Sequence, residues 1–186
     1  MKNTTKLYVG TYAKFTKGSI EGAWLTLNDY DTLDDFLEAC KELHKDEQEP
    51  EFMFQDYDGP TFGLYSECCC SQELFNAAKA MELAEEEGIE PDAMEAFLEL
   101  YGVDDCDDPE NLIDKFNEYY FGHFDSDWDL GYYCAVDCQG INIPSEIEPY
   151  FDFEAYGRDC SFDFSKLNGY YFTTTLRRLV CVLSRP

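Results

Sequence analysis

The chain has 186 residues, 45% of them hydrophobic and 17% aromatic, with a formal net charge of −27 at pH 7. So much apolar and aromatic side chain excludes an intrinsically disordered chain. The acidity excludes affinity for nucleic-acid phosphates or anionic lipid, and no apolar run approaches the roughly 18 residues that span a membrane.

The first 15 residues carry basic side chains but no apolar h-region, so no signal peptide is expected and the reading is a soluble, cytoplasmic protein. LYVGTYA (residues 7–13) and GAWLTL (residues 22–27) predict two strands around a turn near Gly18. Thr32, with Asp35 three residues on, predicts a helix N-terminus, and Leu33, Phe36, Leu37, Cys40 and His44 follow as one apolar stripe. EFMFQDY (residues 51–57) predicts a third strand, ended by Asp58-Gly59-Pro60. A small sheet covered by one helix is expected here.

The middle reads as three helices. Ser71 caps the first, with Leu74, Phe75, Ala78 and Met81 inward and Gly88 beyond its end. Pro91 opens the second, which carries a stripe of Met94, Phe97, Leu98 and Tyr101 and stops at Gly102. Asp108-Pro109 starts the third, with Leu112, Ile113, Phe116 and Tyr120 inward and Gly122 after it. Helices this short are marginal alone and must pack together or on a sheet.

In the last third Ser126 predicts the cap of a helix bearing Trp128, Tyr132 and Val136, with Gly131 as an unfavourable interior residue. Pro144 and Pro149 bracket a turn-rich stretch. CSFDF (residues 160–164) and GYYFTTT (residues 169–175) predict strands, with Asn168-Gly169 as a hairpin turn between them. The expected class is α+β, elongated, in three small abutting subdomains. These are an N-terminal antiparallel sheet plus helix (1–60), a central acidic helical bundle (61–122) and a C-terminal mixed α/β piece (123–186).

Charge is distributed unevenly. From Asp29 to Leu130 there are 32 acidic residues against four basic ones (Lys41, Lys45, Lys79, Lys115), while the other 84 residues are near neutral. The candidate surface comprises Asp34, Asp35, Glu38 and Glu42 on the first helix, and Glu73, Glu82, Glu85 and Glu86 on the second. Asp92, Glu95 and Glu99 follow on the Pro91 helix, then Asp104 and Asp105. Glu110, Asp114 and Glu118 form an i, i+4, i+8 row on the next helix, and Asp125, Asp127 and Asp129 complete the set. Like charges at these offsets each cost an isolated helix roughly 0.2–0.5 kcal/mol, and a helix shaped for solubility alone would alternate in bases. Duplex DNA carries one charge per about 1.7 Å, so these 28 net charges match about 14 base pairs. An acidic surface that imitates DNA phosphates and occupies a DNA-binding protein is the leading reading.

Nine cysteines, odd in number, are expected as reduced, semi-buried residues. Structural zinc is the competing reading, on Cys134 with Cys138 and on Cys68-Cys69-Cys70, but there is no CxxC pair and only two His. Asp125-Ser126-Asp127-Trp128-Asp129 imitates the start of a calcium loop, with Leu130 where Gly belongs and Val136 where the bidentate Glu belongs. No nucleophile elbow, phosphate loop or HExxH string occurs, so no catalytic residue, metal or cofactor is expected and the protein is read as a non-enzyme.

LYVGTYAKF and GSIEGAWLTL near the N-terminus, QDY at residues 55–57 and above all YFDFEAYGRD at residues 150–159 resemble the ArdA antirestriction proteins, over residues 7–174. That family is carried by plasmids, transposons and phages. The resemblance implies an elongated three-subdomain homodimer that imitates bent B-form DNA. It further implies that the dimer occupies the groove of type I restriction–modification enzymes, formed by a specificity subunit with its methyltransferase subunits. Dimerisation through the near-neutral C-terminal subdomain is implied as well, which makes Tyr150, Phe153, Tyr156 and Arg158 candidate contacts. For Tyr156 and Arg158 the plain alternative is that they pin a loop. The acids alone leave another target open, such as a nucleoid protein, a repressor or a nuclease. The basic tail LRRLVCVLSRP departs from the family pattern and is assigned no function.

Overall fold

The computed structural model describes residues 4–104, 108–138 and 140–174. Helices and two small antiparallel sheets make it an α+β protein. The chain divides into two compact units, Met1–Phe116 and Asn117–Pro186. Each is built around one of the sheets.

In the first unit β1 (Lys6–Thr11) lies between β2 (Ala23–Thr26) and β3 (Phe52–Asp58), antiparallel to both. Alternation sends Leu7 and Val9 into the core, both at most 1% exposed, and Lys6 and Tyr8 to the opposite face. Helix α2 (Leu33–Leu43) closes the inner face with Phe36 and Cys40, and Phe36 stacks on Phe54 at 6.2 Å. Its predicted cap is present: Thr32 Oγ1 accepts the Asp35 N–H at 3.1 Å and donates to the Asp35 carboxylate at 2.6 Å. His44, at the C-terminal end of α2, is buried 3.2 Å from the Val9 carbonyl. A carbonyl can only accept, so Nε2 carries the proton and Nδ1 is left to accept from Lys14 Nζ, also 3.2 Å away.

The first strand is shorter than the expected 7–13. Thr11 Oγ1 accepts the Lys14 N–H, which caps a single helical turn, α1 (Tyr12–Phe15), and turns the chain out of the sheet.

Helices α3 (Gln72–Glu86), α4 (Pro91–Tyr101) and α5 (Pro109–Tyr119) follow with the predicted inward faces buried. α3 packs on α4, and Phe97 of α4 meets Phe116 of α5 edge to face at 5.7 Å. Tyr101 is 37% exposed and leans on Phe97, so the stripe ends half in solvent. The sheet and helices of this unit are tied at Asn28. Its carbonyl accepts from Lys79 Nζ at 2.9 Å, and its amide donates to the Ala78 carbonyl at 3.0 Å.

In the second unit the strand order is β4 (Tyr120–His123), β6 (Tyr170–Thr173), β5 (Phe164–Leu167). Asn168 and Gly169 both have positive φ, 51° and 84°, as a two-residue type I′ hairpin requires. Helix α6 (Asp127–Tyr132) starts at the predicted Ser126 cap and continues as a π-helical turn, Tyr133–Asp137. Helix α7 (Phe153–Ser161) crosses it at two glycines. A Cβ on Gly131 would fall 1.9 Å from the Phe153 carbonyl oxygen, and one on Gly157 would fall 1.7 Å from that of Asp127. This contact explains a glycine inside α6.

Two expectations are corrected here. Tyr120 is not the last inward residue of α5 but the first of β4, paired with Phe172, because the β6 edge offers the aromatic run a ladder. Of the strand expected over residues 160–164, only Phe164 is in a strand. The Asp152 carboxylate accepts the Ala155 N–H at 3.0 Å, which nucleates α7 through Ser161, and β5 begins only at Phe164.

Candidate functional site

The acids from α2 to the end of α5 fall into two groups. One group is compensated. Lys41 pairs with Glu38 on α2 and Lys45, just past its end, with Glu42, both at 2.5 Å, and Lys79 lies 3.7 Å from Glu82 on α3. Glu82 also accepts from Asn28 at 3.3 Å, so it holds the fold as well as carrying charge. Asp46, not among the predicted residues, takes a 3.0 Å hydrogen bond from Lys14, which holds its carboxyl below the usual range.

The other group includes acids in helix turns that hold no base. α3, α4 and α5 each carry acids in the last turn (Glu85 and Glu86, Glu99, Glu118), where the helix dipole disfavours them, and none has a base there. Asp92, Glu99, Glu110, Asp114 and Glu118 are exposed, as are Asp34 and Asp35 in the first turn of α2. At 1.5 Å per residue the α5 row places a carboxylate about every 6 Å. Glu73 and Glu95 are half-buried. The Glu95 carboxyl is pushed up by burial first and then by the neighbouring charges of Glu99 and Asp92. Asp104 is exposed beyond α4, and Asp105 lies outside the described residues.

Sequence reasoning on helix rows passed over other exposed acids of the first unit, among them Glu87, Glu90, Asp56, Asp58 and Glu67. They sit at helix junctions or on strand and loop positions, where no i, i+4 pattern marks them.

The second unit uses its acids differently. Ser126 Oγ accepts the Asp129 N–H at 3.1 Å and donates to the Asp129 carboxylate at 2.5 Å. Asp127 and Asp129 thus sit in the first turn of α6, favoured by its dipole, with exposed Asp125 just before it. A helix start replaces the extended cation loop that the spacing suggested, and the calcium reading is corrected accordingly. Among the described residues no group of three or more His, Cys, Asp or Glu could hold a metal. The described cysteines are free thiols, and burial pushes Cys40 and Cys70 up to about 12.

Of the candidate subunit contacts, Tyr150 is 86% exposed, and Arg158 is exposed beside Asp159. Phe153 is only 6% exposed, wedged against Trp128, Tyr132 and Phe151. Tyr156 is half-buried against Phe151 and the core around Leu130 and Tyr171. The basic tail from residue 176 lies outside the described residues. No helix among the described residues is long and apolar enough to cross a membrane.

The family model described as "Antirestriction protein (ArdA)" matches residues 7–173. No curated protein matches the chain.

Proposed function

The chain belongs to the ArdA family of antirestriction proteins, whose target is a restriction–modification enzyme, and from that premise we propose that its carboxylates stand in for the phosphates of B-form DNA. They occupy the DNA groove of a type I enzyme, between the specificity subunit and its methyltransferase subunits, and the protein performs no chemistry of its own. The observation that carries this reading is the set of last-turn acids on α3, α4 and α5. Each costs helix stability, no base in those turns offsets it, and none serves as a cap. A surface that keeps such residues is shaped for its field.

Residues 1–60, 61–122 and 123–186 act in this proposal as three subdomains. The middle one is the most charged, with 17 acidic residues against two basic. The protein works as a cytoplasmic homodimer joined through residues 123–186. Support comes from large apolar side chains left in solvent there: Tyr150, Phe162 at 81% and Ile147 at 54% exposed. Tyr150→Asp is expected to shift sedimentation toward the monomer, and an unchanged dimer excludes Tyr150 from the contact.

The mimicry itself is tested with a purified type I enzyme bound to a labelled recognition duplex. Excess protein is expected to release the duplex, and the triple variant Glu110→Lys, Asp114→Lys, Glu118→Lys is expected to release far less. A duplex that stays bound at saturating wild-type protein rules out this target, and loss of DNA from a nucleoid protein, repressor or nuclease instead would redirect it.

A further inference from the structure

The outer face of the first unit's sheet carries a groove apart from the acidic helices. Strand register sets Lys6, Thr26 and Asp58 in one row and Tyr8, Trp24 and Asp56 in the next, on the face away from α2. Lys6, Trp24, Asp56, Tyr57 and Asp58 line a groove of about 510 Å³. Trp24 is 44% exposed, yet its ring is held edge to face by Tyr8 at 5.4 Å and 70°. The Tyr8 hydroxyl is in turn fixed within 3.0 and 3.2 Å of the Ile20 and Gly22 carbonyls. Asp58 already holds Lys6 at 3.2 Å. Asp56 is exposed, accepts the Tyr57 N–H at 2.9 Å and makes no ion pair among the described residues.

We propose that this groove seats an arginine side chain of the basic partner, its guanidinium plane over the Trp24 indole and its N–H groups on Asp56. The inference rests on the reading that the partner is a DNA-binding protein, because such grooves are lined by Arg and Lys. Charge complementarity selects the occupant, since the exposed Asp56 carboxylate, in no ion pair among the described residues, draws a cation into the groove. Arginine fits better than lysine because its flat cation stacks on an aromatic face while still forking onto a carboxylate.

The two tryptophans of the chain permit a direct test. In a Trp128→Phe background, Trp24 is the sole tryptophan and its emission reports on the groove. At fixed salt, an arginine-containing peptide should change that emission at about two- to fivefold lower concentration than its lysine counterpart. Asp56→Asn should remove the difference. Superimposable arginine and lysine curves, or a preference untouched by Asp56→Asn, would overturn the seat. In the duplex-release experiment, Trp24→Ala should require about two- to fivefold more protein and Trp24→Phe should recover most of the loss. Equal release by Trp24→Ala overturns the seat and leaves the mimicry intact. Failure of the wild type to release duplex overturns the mimicry, whatever the peptides show.

Discussion

Glu95 shows what one carboxylate costs when it is kept charged against its surroundings. It is half-buried on α4, between Asp92 three residues before and Glu99 four after. Burial and those two charges raise its pKa above the ordinary glutamate value. In the native state it therefore binds a proton more readily than in the unfolded chain, and stability falls as pH rises from the unfolded value through the raised folded one. Glu95→Gln should stabilise the protein at pH 7 by roughly 0.5 kcal/mol, the order of two like-charge helix neighbours. The gain should vanish near pH 3, where both states are protonated. Paired urea melts at the two pH values measure this, and an equal gain at both would assign it to something other than charge. His44 is the opposite case. Its position at the end of an apolar stripe was legible in the sequence, but its fixed tautomer depends on Val9 and Lys14, more than 25 residues away in the chain.

At the scale of elements, helix ends separate folding from function. Replacing Glu85, Glu99 and Glu118 by lysine puts a favourable charge at each C-terminus and should raise stability by roughly 0.3–1 kcal/mol per site. The same triple variant should inhibit less well. Stability and inhibition moving together, in either direction, would contradict a surface selected for charge. The crossing of α6 and α7 gives a prediction of another kind. Gly157→Ala drives a methyl into the Asp127 carbonyl and should cost at least about 2 kcal/mol in thermal unfolding, whereas Gly18→Ala, which meets open space but has positive φ, should cost less. Elements with local signals were legible: the Thr32, Ser71 and Ser126 caps, the Pro91 start, the Gly102 stop and the Asn168-Gly169 turn. β4 and α7 were not, for different reasons. Tyr120 continues the helical spacing of α5, and only pairing with β6, some 50 residues on, makes it a strand. Within YFDFEAYGRD the Asp152 cap is weak as a pattern, and Gly157 reads as a breaker until Gly131 is set against it. Among the acids, those in helical rows could be found from spacing. Which of them a lysine reaches, as Lys79 reaches Glu82, could not, because it depends on side-chain geometry.

For the whole molecule, the proposed mimicry makes the distribution of charge govern how it meets a partner. A field shared by many carboxylates should make single Asp or Glu replacements nearly silent and patch reversals costly. It should also place most of the salt dependence in the association rate, read by stopped-flow mixing with the enzyme across ionic strength. The near-neutral residues 131–186 can meet their copy without that repulsion, whereas the acidic stretch cannot. The most direct measurement of mimicry is the apparent Kd of a type I enzyme for its recognition duplex, taken at rising concentrations of this protein. If carboxylates occupy the place of phosphates, that Kd climbs in proportion to protein concentration without reaching a ceiling, and no species contains enzyme, duplex and protein together. A plateau, or a complex holding all three, would contradict it.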